Sequence, residues 1–175
     1  MGDKHPNGSF SNVERNKLPM KTNEKILLKP GEGKSFWVLG DLYTFKATGK
    51  ETGGSFTVMD QIIQPQGGPP PHIHHREDET FYVLEGRFSF LCGGKQSVFE
   101  TGSFIHIPKG TLHTFKNLDE KPGRLLVTIT PAGLEEFFYT IGIPTASQPT
   151  PPVFDPSVVE KIIAIAPEYQ MEIRV

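Results

Sequence analysis

Between Ile26 and Thr130 short apolar runs alternate with Gly- and Pro-containing breaks, a pattern that predicts strands rather than helices. The runs cover Ser35 to Leu39, Leu42 to Ala47, Phe56 to Gln64, Thr80 to Leu84, Arg87 to Leu91, Gln96 to Phe99, Phe104 to Ile107, His113 to Lys116 and Arg124 to Thr130. Each is rich in Val, Ile, Phe, Tyr or Thr, whose branched or flat side chains suit a half-buried pleated surface. Strands this short and closely spaced fit a β-sandwich or a barrel.

The period changes beyond Pro131. Leu134, Phe137, Phe138 and Ile141 fall at helical spacing and Gly142 ends the pattern. After a loop containing Pro144, Pro149, Pro151 and Pro152, Asp155 offers an N-cap and Pro156 suits a first helical position. Val158, Val159, Ile162, Ile163 and Ala166 then form an apolar stripe. Two short helices packed outside an all-β barrel are expected. Residues 1–24 are polar and show neither period, so they read as a flexible arm that orders only against a partner. The expected organisation is an arm at 1–24, a β-barrel at 25–131 and a helical extension at 132–175.

Composition narrows this picture. A chain of 175 residues and 19.5 kDa is the size of one domain with extensions, and 18 Gly with 16 Pro favour turns over a helical bundle. Lys and Arg total 18 against 20 Asp and Glu, so no basic excess exists to hold a phosphodiester backbone, and nucleic acid is not the expected partner. Cys92 is the lone cysteine and cannot form an intrachain disulfide, which fits a reducing, cytoplasmic setting. The aliphatic run from Ile162 to Ala166 is too short to cross a bilayer, so no membrane association is expected.

The chemistry concentrates in two segments. In Pro69-Pro70-Pro71-His72-Ile73-His74-His75-Arg76-Glu77-Asp78-Glu79, His72 and His74 are two apart in an extended chain, so both imidazoles leave one strand face, as two ligands of one metal must. His75 points the other way. Glu79 opens a strand whose Phe81 and Val83 share its face, which puts one carboxylate at the mouth of an apolar interior where its charge needs a cation. Downstream, a strand ends in the turn Pro108-Lys109-Gly110, and the next begins with His113, with Phe115 on the same face. His106 precedes that turn and reads equally as pocket lining or as barrel packing.

Together these segments resemble the cupins. The first cupin motif matches at His72, His74, Glu79 and Gly86, with Gly67 and Gly68 slightly closer to His72 than the pattern has its leading Gly. The second matches completely at Gly102, Pro108, Gly110, His113 and Asn117. The resemblance implies a double-stranded β-helix, or jelly-roll, barrel holding one divalent transition metal on His72, His74, Glu79 and His113. Three imidazoles and a carboxylate suit Fe, Mn, Ni, Cu, Co or Zn. In detail, including the stretch Glu79-Thr80-Phe81-Tyr82-Val83-Leu84-Glu85-Gly86, the chain resembles quercetin dioxygenase-like cupins. That likeness implies a mononuclear metal-dependent dioxygenase acting on a flavonol- or enol-like small molecule, with Glu79 both ligand and general base. Phe81, Val83, His106 and Phe115 are the candidate pocket lining. A non-catalytic binding or sensing cupin, or a cupin isomerase or decarboxylase, is the alternative. Family habit, an exposed sheet edge and the arm point to a homodimer.

Overall fold

The computed structural model describes residues 25–146, 150–153 and 155–174; the expected arm at 1–24 lies outside them. Two antiparallel sheets face each other. The larger runs β11 (Ile143–Pro144), β1 (Lys34–Val38), β2 (Asp41–Ala47), β3 (Thr57–Ile63), β10 (Gly123–Thr130), β5 (Asp78–Glu85), β8 (Phe104–Ile107). The smaller runs β12 (Met171–Ile173), β4 (His72–His74), β9 (His113–Asn117), β6 (Arg87–Cys92), β7 (Lys95–Glu100). From β3 to β10 the chain passes repeatedly from one sheet to the other, which winds the jelly roll and places strand partners far apart in sequence.

Inward-facing apolar side chains fill the space between the sheets. In β10, Leu125, Val127 and Ile129 are buried while Arg124 and Leu126 lie outside. Phe81 of β5, Phe90 of β6 and Phe115 of β9 meet at ring-centroid distances of 5.2, 5.6 and 5.3 Å. The first two contacts are edge-to-face, an arrangement the ring quadrupole favours.

The helical stripes form α2 (Glu135–Ile141) and α3 (Ser157–Ile165), with Gly142 closing the first. Asp155 Oδ1 accepts the Ser157 N–H at 2.9 Å, so it caps α3 as its residue type suggests. Both helices lie outside the sheets, yet Phe137, Phe138 and Ile141 of α2 and Ile162 of α3 line the barrel's internal cavity. Residues 132–175 also hold two strands that no sequence pattern marked. β11 pairs with β1, and β12 pairs with β4 in the register Met171↔His74 and Ile173↔His72. These short stretches become strands because open sheet edges supply their backbone partners. A one-turn helix, α1 (Gly49–Thr52), was also unread; its capping box, Thr48 with Glu51, was the available signal.

Candidate metal centre

The approach to β4 is fixed by close packing. Gly68 sits at φ +142°, and a Cβ there would lie 2.0 Å from the Phe115 carbonyl oxygen, so only glycine lets this segment lie against β9. β4 then turns His72 and His74 inward and both are buried. His72 stands directly opposite His113 of β9. The Gly110 N–H donates to the His74 carbonyl at 2.7 Å, which ties the Pro108-Lys109-Gly110 turn to the ligand strand and aims His113. Asn117 is structural: its Nδ2 donates to the Ile63 and Lys121 carbonyls at 3.0 and 2.8 Å.

Glu79 arrives from the other sheet, between Ile129 of β10 and Ile107 of β8. The site therefore joins three imidazoles of the smaller sheet to one carboxylate of the larger across the barrel interior. All four side chains are buried, and one donor atom from each lies within 4.8 Å of all the others. Ligands on opposite sides of an ion at ~2.1 Å are ~4.2 Å apart, so the group needs little rearrangement to close on one cation.

Two imidazoles are already oriented. His72 Nδ1 donates to the Pro70 carbonyl at 2.8 Å, and His113 Nδ1 donates to the Thr111 carbonyl at 2.9 Å, which leaves each Nε2 as the candidate ligand atom. Glu79 Oε2 lies 2.8 Å from His113 Nε2 and 3.4 Å from His74 Nε2. Burial, with His113 and His74 beside it, pushes His72 down to about 3, so it is neutral as a ligand must be. Burial alone would raise Glu79 and lower His74. Their mutual attraction outweighs it, holding Glu79 well below the usual carboxylate range and His74 above the ordinary imidazole value. The donor set fits a divalent first-row ion, and this group could hold one.

Glu77 was missed in the sequence because the run Glu77-Asp78-Glu79 reads as a solvated acidic turn. It is buried, with Oε1 on Arg76 Nη1 at 3.1 Å, and Arg76 Nη2 reaches the Ala132 carbonyl at 3.1 Å. Its Oε2 and His74 Nδ1 are both buried without a hydrogen-bond partner. Burial raises the Glu77 carboxyl.

The four side chains sit beside a cavity that opens to solvent, with His72, His74 and Glu79 in its wall. Phe81 and Phe115 line it, while Val83 is fully buried in the core and does not. His106 requires correction: β8 turns Ile105 and Ile107 inward, and strand parity puts His106 on the exposed outer face. His75 is also exposed, its Nε2 3.5 Å from Glu172 Oε2. Tyr43 and Gln61 are polar members of the wall that sequence reasoning did not single out. Burial, then the charges of Asp41 and Glu79, raises Tyr43 well above its ordinary value, so its phenol stays protonated. Gln61 was legible in principle, since alternation places it inward between Met59 and Ile63.

A jelly roll carrying three inward imidazoles and a carboxylate at this spacing has the fold of a cupin and a candidate metal site. Residues 59–129 match the family described as Cupin domain. The chain is 30% identical over 118 residues to Quercetin 2,3-dioxygenase of Bacillus subtilis, a match covering 67% of this chain and 35% of that protein. In structure it is similar to KdgF from Halomonas sp., with TM-score 0.57 and 17% identity over 65% of this chain and 99% of that one. A predicted oxalate decarboxylase from Thermotoga maritima also gives TM-score 0.57, at 16% identity over 60% of this chain and 98% of that one. Likeness at these identities shows the fold. Residues 59–129 are a cupin domain. It spans 35%, 41% and 32% of the lengths of the first three curated relatives it matches, so their activities are not transferred by the match.

Proposed function

We propose that this cupin is a mononuclear metal-dependent dioxygenase acting on a small flavonol- or enol-like molecule. The observation that carries the reading is the placement of His72, His74, Glu79 and His113 beside an otherwise mostly apolar cavity. The similarity to Quercetin 2,3-dioxygenase across those residues supports it. A divalent ion held by the four side chains would supply a Lewis acid and a site for bringing an oxygen-donor substrate and dioxygen together. Glu79, kept ionised by its imidazole neighbours, would accept the substrate's hydroxyl proton as that oxygen binds. Phe81, Phe115, Phe137 and Phe138 would hold the flat body of the substrate and exclude water.

Among the described residues lining the cavity there is no Lys or Arg to receive a carboxylate or phosphate, which favours a neutral phenol or enol over oxalate or a sugar phosphate. The test is oxygen uptake by protein reconstituted separately with Fe, Mn, Ni, Cu, Co and Zn, against flavonols, 1,3-diketones and catechols. Turnover with at least one metal and one enol-bearing substrate is expected. Metal-loaded protein that binds these compounds without consuming oxygen would replace this reading with a binding module.

A homodimer is part of the same proposal. Phe104 at 63% exposure, Tyr82 and Leu126 stand in cross-strand register on the outer face of β8, β5 and β10, and β8 is a sheet edge. A second copy related by a two-fold axis would cover this self-complementary stripe. Light scattering should give a dimer that Phe104→Glu converts to monomer. The reducing setting suggested by Cys92 fits cytoplasmic work; among the described residues no helix is long and apolar enough to cross a membrane.

A further inference from the structure

The inward row of β3 is Thr57, Met59, Gln61 and Ile63, and all four are buried. Thr57 has a partner, donating to Glu135 Oε2 at 2.6 Å, and Met59 and Ile63 need none. Gln61 is different. It is 3% exposed, it lines the cavity that carries the metal-site residues, and its Oε1 has no hydrogen-bond partner. Buried amide oxygens are almost always paired, because an unpaired acceptor keeps the full cost of leaving water. A leucine or methionine of similar volume would fill this position at lower cost.

Its neighbours give its Oε1 no partner. Gln61 is registered opposite Tyr43 of β2 on one side and Leu125 of β10 on the other, and Leu125 is apolar. Tyr43 also faces the cavity, so two neutral hydrogen-bonding side chains stand together on the larger sheet while the imidazoles lie on the smaller. The amide and the phenol can read a neutral group at a fixed place on a ligand without attracting ions.

We infer that Gln61 is a specificity-determining residue whose amide hydrogen-bonds a hydroxyl on the cavity's ligand, separate from the oxygen that meets the metal. Resting on the dioxygenase reading, this narrows the substrate class to flat, mostly apolar enols carrying a second hydroxyl. A site built to pair a hydroxyl rejects the analogue lacking it more sharply than an apolar wall can, because the analogue leaves the buried group unpaired.

The test compares wild type, Gln61→Met and Gln61→Leu, each metal-loaded and checked for metal content. Calorimetry measures binding of 3-hydroxyflavone and of its derivatives carrying one further ring hydroxyl under anaerobic conditions. Wild type should prefer at least one derivative over 3-hydroxyflavone by ~10-fold or more, and both variants should bind that derivative no more tightly than they bind 3-hydroxyflavone. Without ligand, both variants should melt about 2–5 °C higher, since an unpaired buried acceptor is gone. A preference absent in wild type, or retained in the variants, overturns the proposal. Should no flavonol bind any form, the flavonol reading fails and melting decides: a higher value in both variants supports Gln61 as a group held for a ligand, and a lower value shows it serves the fold.

Discussion

Stripping the metal should lower the melting temperature without unfolding the barrel. The bound ion would connect His72 and His74 of β4 and His113 of β9 to Glu79 of β5, so it would clamp one sheet to the other. Binding to the folded state alone adds ~2.7 kcal/mol when free metal is a hundredfold above Kd. For a domain of this size ~1 kcal/mol corresponds to ~2–4 °C, which puts the shift at ~5–11 °C. Retention of the fold follows from two observations. Phe81, Val83, Phe88, Phe90, Leu125 and Val127 pack between the sheets independently of the four ligands. His113 Nε2 and Glu79 Oε2 are 2.8 Å apart, so Glu79 keeps a buried polar partner when the cation is removed. The assay is a melting curve by circular dichroism, before and after chelation, with metal content measured on the same samples. Complete loss of β-structure at room temperature on chelation would make the ion structural. An unchanged melting temperature despite one measured ion per chain would refute the clamp.

His74→Ala should lower metal affinity by ~100-fold or more, a loss beyond that usual for groups that merely support a ligand, while His75→Ala, which alters an exposed side chain, should leave it unchanged. Equal losses by elemental analysis would show that β4 does not separate the two imidazoles. Glu79→Gln keeps one oxygen for the ion but accepts no proton at neutral pH, so metal-loaded variant should bind substrate and lose ~10²–10⁴ of turnover; normal turnover would make Glu79 a ligand only. Burial pushes the Asp41 carboxyl up to about 7 even though its Oδ1 accepts the Gln64 N–H at 2.7 Å. The folded chain thus holds this proton where an unfolded Asp, near ~3.9, has lost it. Stability should fall by up to ~1.4 kcal/mol per pH unit as pH rises from ~4 to ~7 and level off above. Asp41→Asn should flatten that slope in denaturant titrations, and an identical slope would disprove the assignment.

The grouping of the four candidate ligands, which the cupin resemblance implied, was partly legible in strand parity. His72 and His74 share a face by spacing alone, and the Pro-x-Gly turn delivers His113 to a register opposite His72. His106 defeated the reading for the converse reason: its facing depends on where β8 starts, and that is set by pairing with β5, where Thr80 meets His106 and Glu79 meets Ile107. Once Glu79 faces inward, Ile107 must too, and His106 cannot. Gln61 escaped notice although its parity was visible, because a polar residue in an apolar row draws attention only when the row is known to border a cavity.

The C-terminal segment shows a different limit. Met-Glu-Ile at 171–173 is too short to show a period, and its role depends on a partner almost a hundred residues earlier, since Met171 pairs with His74 and Ile173 with His72. Without β12, the three-residue strand carrying two ligands would be an edge. The pairing covers that edge with a His75 N–H to Gln170 carbonyl bond of 2.9 Å and an Arg174 N–H to Pro71 carbonyl bond of 2.8 Å, just outside the two ends of β4. The same segment sends Met171 and Ile173 into the cavity wall beside Ile162 of α3. Ligand orientation and cavity shape are thus coupled through one short strand: a displacement of β12 would loosen β4 and open the wall in the same movement. A segment that reads as an appendage is, in the folded chain, part of the support for the candidate metal centre.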